Sequence, residues 1–279
     1  MADITASMVK ELRDATNVSM MECKRALQEA NGDKEQAFKL LRERGMAVAA
    51  KKADRVAKNG KISAKVSDDG KTGVMIEVNC ETDFVTRNEI FQKFVVEMTD
   101  KAMTTDGDPA EVFKADIVAK VAEIGENIVL RKSEKFTVKG SGAIASYIHM
   151  GGTCGVLAEL AFNKADTLNN AVYKELALDI CLHIAAARPA SLDRSGVPAQ
   201  LVEDEKALFL KQVEGKPANI VEGILKGKLN KFYSQICLIE QPFVKEDKIS
   251  ITELLEAKSK EIGDTVTIKR YTRWQLGEA

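Results

Sequence analysis

Few residues in this chain have the types and spacing that enzyme chemistry or metal binding requires. The chain has only two histidines, His149 and His183, and they are far apart in sequence. Zinc sites and zinc peptidases need closely spaced cysteine or histidine ligands, and no C-x-x-C or H-E-x-x-H spacing occurs. We therefore predict no catalytic residue, no metal site and no cofactor. The cysteines are Cys23, Cys80, Cys154, Cys181 and Cys237.

Phosphate-binding and nucleophile motifs are also missing. No G-x-x-x-x-G-K-[ST] or G-x-S-x-G sequence occurs, and Gly140-Ser141-Gly142 is too short to form a phosphate loop. We expect that the protein is not an enzyme and binds no nucleotide directly. A hydrolase that uses paired carboxylates is an alternative without a supporting motif. His183 lies in an apolar helical segment, which indicates a packed or capping histidine, whereas His149 precedes a glycine turn, which indicates a surface position.

The most informative stretch covers residues 79–88. An apolar, β-branched run at residues 74–78 predicts a strand, and the spacing of apolar residues from Ile90 onward predicts an amphipathic helix. Asp83 and Asn88 are candidate N-caps. Phe84 therefore lies on the connection between strand and helix. It is either a hydrophobic staple that sets the start of the helix or an exposed anchor for a partner protein.

Composition predicts a soluble globular protein, because 45% of residues are apolar and 30% are charged. The net charge of −1 gives no bulk attraction to nucleic acid or to an anionic membrane. No apolar run approaches the roughly 20 residues that span a bilayer, and the first residues lack the pattern of a signal peptide. Scattered cysteines, odd in number, indicate reduced thiols. We therefore expect a cytoplasmic protein without a membrane segment.

The first 45 residues predict a bundle of three short helices. The first helix is expected from Ile4 to Asp14, the second begins after Ser19, and the third begins after Asp33 and stops at Gly45. Residues 46–60 form a basic linker rich in alanine and lysine. A solvated helical tether explains this composition, and a nucleic-acid-binding patch is the alternative, although no aromatic platform lies nearby.

The remainder of the chain contains an internal repeat. Residues 73–78 and 155–160 have glycine, valine and glutamate at matching positions, and residues 123–132 resemble residues 261–270. Each copy predicts a hairpin, helices and a closing strand. The second copy carries about 56 additional residues, which predict two helices broken at Glu214-Gly215-Lys216-Pro217.

The repeat predicts an α+β fold in which helices cover one face of an antiparallel sheet in each copy. We expect a core subdomain N at residues 61–140 and a core subdomain C at residues 141–187 plus 243–279. Residues 188–242 would be an inserted helical hairpin. Such a hairpin cannot bury its apolar face alone, so it must pack on the body or on another chain.

Three separated segments resemble the family of bacterial translation elongation factor Ts. They are Glu81-Thr82-Asp83-Phe84-Val85-Thr86-Arg87-Asn88, the stretch from Leu12-Arg13 through Met20-Met21-Glu22-Cys23-Lys24-Arg25-Ala26-Leu27 to Asn31-Gly32-Asp33, and Gln241-Pro242-Phe243-Val244. They occur in the family's order, and the resemblance runs from residue 1 to about residue 275. It implies a ubiquitin-associated-like three-helix bundle at the start of the chain.

The resemblance also implies a function. Members of the family promote the loss of GDP from the GTPase elongation factor Tu and change no covalent bond. By analogy, Asp83 and Phe84 would form a wedge near the magnesium and phosphate site of that GTPase, and Met20 would serve the bundle core. The inserted hairpin would permit a homodimer. The partner-binding residues implied are Met21, Lys24, Arg25, Thr82, Asp83, Phe84, Val85, His149 and Val244.

Two departures from the family pattern stand out. Residues 150–154 differ from the usual sequence after the histidine, and many members continue with a further helical module, whose absence should weaken binding without touching the wedge. A second functional hypothesis is a non-catalytic ribosome- or RNA-associated adaptor that uses the basic linker.

Overall fold

A computed structural model describes residues 4–16, 18–212 and 217–278. It is a mixed α+β structure with small antiparallel sheets, as the repeat predicts. The break between the two hairpin helices is predicted at Glu214-Gly215-Lys216-Pro217. The first three of these residues lie outside the described residues, and Pro217 directly precedes the second hairpin helix.

The first three helices form a small bundle. They are α1 (Ala6–Thr16), α2 (Met20–Glu29) and α3 (Lys34–Lys52). The side chains of Ser19 and Asp33 accept hydrogen bonds from the first turns of α2 and α3, which confirms both predicted caps. The apolar centre of the bundle is built by Val9, Leu12, Cys23, Ala26, Leu27, Ala30, Ala37 and Leu41.

The prediction that α3 ends at Gly45 is wrong. The helix continues to Lys52, into the predicted linker, and packs against a helix of the following subdomain. A Cβ atom at Gly45 would lie 3.6 Å from Ala122 Cβ and 3.9 Å from Val118 Cγ1. The glycine therefore marks a close helix crossing, and the tertiary contact offsets its low helix propensity.

Subdomain N is built on a three-stranded antiparallel sheet with the order β1-β2-β3. The strands are β1 (Asn59–Val66), β2 (Thr72–Cys80) and β3 (Val129–Thr137). Between β2 and β3 the chain forms four helices, of which α5 and α7 supply most of the helical part of the core. They are α4 (Asp83–Arg87), α5 (Glu89–Thr104), α6 (Pro109–Val112) and α7 (Lys114–Ile124).

Subdomain C repeats this plan with a sheet in the order β4-β5-β8. Its strands are β4 (Ala143–His149), β5 (Cys154–Ala161) and β8 (Thr267–Gln275), covered by α8 (Ala171–Ala187) and α11 (Ile251–Ile262). The hairpin helices α9 (Ala199–Gln212) and α10 (Ala218–Ile236) follow α8. A short ribbon of β6 (Pro242–Phe243) and β7 (Glu246–Ser250) returns the chain to the core.

The two sheets share a structural irregularity that confirms the repeat. The pairing of β2 with β3 shifts between Glu77 and Val78, and the pairing of β5 with β8 shifts between the matching residues Glu159 and Leu160. Such a β-bulge increases local twist. The matching glycines Gly125 and Gly263 both end a helix in the left-handed conformation, at φ values of 85° and 74°.

The sheets pack face to face, and helices cover their outer faces. Six buried side chains from both subdomains form this inter-sheet core: Ile62, Met75, Phe136, Val138, Ile144 and Leu157. No helix within the described ranges is long and apolar enough to cross a membrane.

Candidate functional site

Phe84 lies on α4, a helix of five residues directly after β2. Its side chain is 78% exposed, whereas the next residue, Val85, is 9% exposed and joins the core of subdomain N. Exposure to this degree rules out the staple interpretation of Phe84 in the free chain. Thr82, rather than Asp83, supplies the N-cap of α4, and Asn88 caps α5 as predicted.

The backbone just before Phe84 is fixed by the carboxylate of Glu126, which lies 44 residues after Thr82 in sequence. Glu126 Oε2 accepts hydrogen bonds from the backbone N–H of Glu81 (3.1 Å) and Thr82 (3.0 Å), and Glu126 Oε1 accepts one from Thr82 Oγ1 (2.6 Å). Glu81 in turn accepts a hydrogen bond from Asn127 N at 2.7 Å. An exposed aromatic side chain thus stands on a rigid base, which lowers the entropic cost of binding.

Subdomain C contains the same arrangement of a carboxylate that accepts backbone hydrogen bonds, at the matching position of the repeat. Asp264 accepts hydrogen bonds from the backbone N–H groups of Asn163 and Lys164 and from Thr167 Oγ1. Desolvation acts to raise the pKa of Asp264, but these hydrogen bonds outweigh it and hold the pKa well below its usual range. The signal was present in the sequence, because Glu126 and Asp264 align in the repeat, although neither was singled out.

His149 ends β4 and is exposed, in line with its predicted surface position. Its Nδ1 atom lies 2.8 Å from Tyr147 Oη. The following turn contains Met150, which is 76% exposed and has a φ of 45°. Sequence reasoning missed Met150 as a contact candidate, although an apolar residue beside two glycines was a usable signal.

The structure brings the His149 turn and the Phe84 segment to the same end of the double sheet. Gly152 O accepts a hydrogen bond from Ile62 N in β1 at 2.8 Å. At the start of the same strand, Asn59 pairs with Cys80 and donates to Glu81 O at 2.8 Å. β1 therefore joins the two segments.

Val244 belongs to a different patch. It is 48% exposed, while Gln241 and Phe243 are buried. His183 fixes this loop from within: its Nε2 lies 3.0 Å from Gln241 Oε1, and its Nδ1 accepts from Val244 N at 3.3 Å. This geometry requires a neutral imidazole, and burial lowers the pKa of His183. The packed interpretation of His183 is confirmed.

A third patch lies on α2 of the bundle. Met21 is 63% exposed, Lys24 and Arg25 are exposed, and Arg25 pairs with Glu22 at 3.1 Å. Met20, expected in the bundle core, is instead 46% exposed. The predicted residues thus lie in three patches on different elements, while Val85 is buried in the core of subdomain N and Thr82 caps α4.

The cysteines contribute no reactive group to these patches. All five are reduced and buried. Burial raises the pKa of Cys80 and of Cys181 to about 12, so both thiols stay protonated near neutral pH. Among the described residues, no three or more histidine, cysteine, aspartate or glutamate side chains are placed to hold a metal ion.

The geometry is therefore an exposed aromatic side chain on a hydrogen-bonded base, with two further exposed patches, in a protein with a duplicated sheet core. Comparison with known proteins identifies the class as a translation elongation factor. The sequence profile described as Elongation factor TS matches residues 81–278. The chain therefore belongs to the elongation factor Ts family.

Individual relatives are similar in sequence to this protein over nearly the whole chain. Elongation factor Ts of a Nitratiruptor species is 43% identical over 288 residues, covering 99% of this chain and 93% of that protein. Elongation factor Ts of Clostridium perfringens is 42% identical with the same coverage. Elongation factor Ts of Nitratidesulfovibrio vulgaris is 40% identical over 277 residues, covering 99% of this chain and 96% of that protein.

Proposed function

We propose that this protein is the guanine nucleotide exchange factor of elongation factor Tu and acts in the cytoplasm without making or breaking a covalent bond. The observation that carries the proposal is the exposed Phe84 on its fixed base, within a chain of the elongation factor Ts family. Elongation factor Tu, a GTPase, is the proposed partner, and the protein itself holds no nucleotide.

Binding thermodynamics constrains how exchange occurs. If the factor weakens GDP binding, then GDP weakens binding of the factor to the same extent. Each tenfold loosening requires about 1.4 kcal/mol of differential binding energy. The factor must therefore fit a distorted, nucleotide-poor conformation of the GTPase better than the GDP-bound one.

Phe84 and Asp83 are the proposed wedge. Phe84 would enter the GTPase near the magnesium and phosphate site, and burial of its ring would supply energy that is available only in the distorted conformation. Asp83 is held on the exposed turn, where its Oδ2 accepts from Arg87 Nη2 at 3.0 Å. The hydrogen bonds from the backbone of Glu81 and Thr82 to Glu126 would keep this turn in place while Phe84 pushes into the GTPase.

The other two patches would supply affinity. Met21, Lys24 and Arg25 on the bundle would contact the GTPase, as would His149 beside the wedge. Val244 would contact a different domain of the partner. Contacts at three separated patches suit an interface of considerable area. The hairpin helices also expose apolar side chains, including Leu208 and Ile220, which would be available for a homodimer.

The RNA-adaptor alternative gains no support from the linker. Two of its cations contact the protein itself: Lys52 donates to Gly125 O, and Arg55 pairs with Glu81 at 3.5 Å. A linker engaged in this way presents less positive charge for a phosphate backbone.

The test is release of a fluorescent GDP analogue from elongation factor Tu of the same organism. We expect strong acceleration by the wild-type protein and loss of most of it in Phe84→Ala. Val96→Ala, which removes another apolar side chain that is 55% exposed, is the matched control and should retain activity. If folded wild-type protein does not accelerate release, the proposed function is wrong.

A further inference from the structure

Residues 275–278, which we call the strap, connect the two subdomains at the end of the double sheet where His149 and Phe84 lie. On one side the strap holds the turn after His149. Leu276 N donates to Thr153 O at 2.8 Å, and Gln275 Nε2 donates to the same oxygen at 3.0 Å. Leu276 also packs in the core between the sheets.

On its other side the strap is held by subdomain N. Gly277 N donates to Glu77 Oε1 on β2 at 3.1 Å, and Lys132 Nζ on β3 donates to Glu278 O at 2.8 Å. Glu77 lies on the strand that leads directly into the Phe84 turn. The strap thus bridges the two elements that are proposed to touch the GTPase.

Comparison of the two repeat copies shows that Glu77 has an unusual set of partners. Its counterpart Glu159 forms an ion pair with the cross-strand residue Arg270 at 2.7 Å. The cross-strand residue of Glu77 is Lys132, but that lysine contacts the strap instead. Among the described residues, the cation that lies within 4.0 Å of Glu77 is Arg131, through its Nε atom, and Asn79 Nδ2 donates a hydrogen bond to Glu77 Oε1 at 3.2 Å.

Glu77 therefore lacks the ordinary pairing of a buried carboxylate. It is 0% exposed, and its Oε2 atom has no hydrogen-bond partner among the described residues. Burying a charge is costly unless it is paired and fully hydrogen-bonded. The second copy shows that a cross-strand ion pair fits at this position. In the first copy that ion pair is absent, and Glu77 and Lys132 both hold the strap instead.

We propose that Glu77 is a positioning residue: it fixes the strap, and the strap holds the His149 turn at a set place relative to Phe84. The proposal rests on the proposed function, because it concerns the geometry of those contact elements. The physical reason is mechanical. A protein that distorts its partner must itself deform less than the partner, and hydrogen bonds on both sides of the turn restrict its movement.

The first test is amide hydrogen exchange on the free protein, which does not depend on any partner. Gly277→Pro removes the N–H donor and cannot adopt the φ of 79° found at this position, so the strap must detach. Glu77→Ala removes the acceptor from the other side. Glu159→Ala, at the matching position in subdomain C, and Glu278→Ala, which keeps every backbone contact of the strap, are the controls.

The reporters are the amides of Gly152 and Thr153, which both donate to His149 O. We expect their exchange, and that of Leu276, to accelerate about tenfold or more in Gly277→Pro and Glu77→Ala, and to stay within about twofold in both controls. Gly277→Pro leaves the side chains of the core unchanged, so it tests the proposal even if Glu77→Ala does not fold. Unchanged exchange at Gly152 and Thr153 in Gly277→Pro, with faster exchange at Leu276, would overturn the proposal.

The second test separates positioning from the wedge. In GDP release from elongation factor Tu, Gly277→Pro should raise the half-saturating concentration of the factor severalfold and leave the maximal rate within about twofold, because Phe84 is unchanged. Phe84→Ala should instead lower the maximal rate. A fall of the maximal rate alone in Gly277→Pro would contradict the proposal. If the wild-type protein gave no acceleration, the proposed function would fail, while the hydrogen-exchange result would still decide whether Glu77 fixes the turn.

Discussion

Phe84 and Val85 are adjacent in sequence and should respond to truncation in opposite ways. Phe84 is 78% exposed in the free chain, and Val85 is 9% exposed within the core of subdomain N. We expect Phe84→Ala to lose exchange activity with little change in stability. Val85→Ala should lose stability while the activity of its folded fraction is largely retained.

The magnitudes follow from burial. A phenylalanine side chain can bury about 150–250 Å². With 78% of that surface still exposed, full burial in a partner would contribute about 3–5 kcal/mol at about 25 cal/mol per Å². Truncation of such an anchor costs about 2–4 kcal/mol, which corresponds to about 30- to 900-fold in the rate of stimulated release. An exposed side chain changes folding stability by about 0.5 kcal/mol or less.

For Val85→Ala, loss of buried methyl groups should cost about 1–3 kcal/mol and lower the Tm by about 5 °C. The assay pairs GDP release with thermal unfolding followed by circular dichroism, for both variants and the wild type. The reasoning is refuted if Phe84→Ala lowers the Tm as much as Val85→Ala does. It is equally refuted if Phe84→Ala releases GDP as fast as the wild type at saturating concentration.

Three further predictions concern the elements that hold the patches. Burial lowers the pKa of His183, so below about pH 6.5 the unfolded chain binds more protons than the folded chain. The free energy of unfolding should therefore be full above that pH and fall as the pH decreases. Urea unfolding from pH 5 to 8 should show this slope, and His183→Leu should flatten it. Glu126→Ala leaves two backbone N–H groups and a hydroxyl without their acceptor. We therefore expect faster hydrogen exchange at Glu81 and Thr82 and at least a tenfold loss of stimulated GDP release. The control Glu123→Ala, in the same part of the chain, should have neither effect. Gly45→Leu places a large side chain at the crossing of α3 and α7, where a Cβ atom alone would already be in contact; limited proteolysis should then cut within residues 46–58 much faster than in Gly45→Ala.

The sequence was most informative where periodicity and turn residues agreed. The strands of both hairpins, the caps Ser19, Asp33 and Asn88, and the repeat itself were all predictable, because each depends on local geometry. Gly45 shows the limit. A glycine near the end of a helical pattern predicts a helix end, and only the packing of α7 on the other side explains why the helix continues.

The candidate site was predictable only in part, because it also depends on contacts between residues that are distant in sequence. The types and spacing of residues 82–85 indicated a contact segment, but not that Val85 faces the core while Phe84 faces solvent. The roles of Glu126 and Glu77 depend on partners that are 44 and 200 residues away in sequence. No local pattern encodes such a partner, although alignment of the two repeat copies brings both residues into view.

The place where the inserted hairpin leaves subdomain C has a consequence for protein engineering. It departs after α8 and returns before α11, and the matching place in subdomain N is the connection between α5 and α6, at residues 105–108. The C-terminal copy shows that this unit still folds when a long excursion begins there. A peptide tag or a small fluorescent domain spliced into residues 105–108 should therefore be tolerated, which would give an internal reporter position in the half of the molecule that carries Phe84.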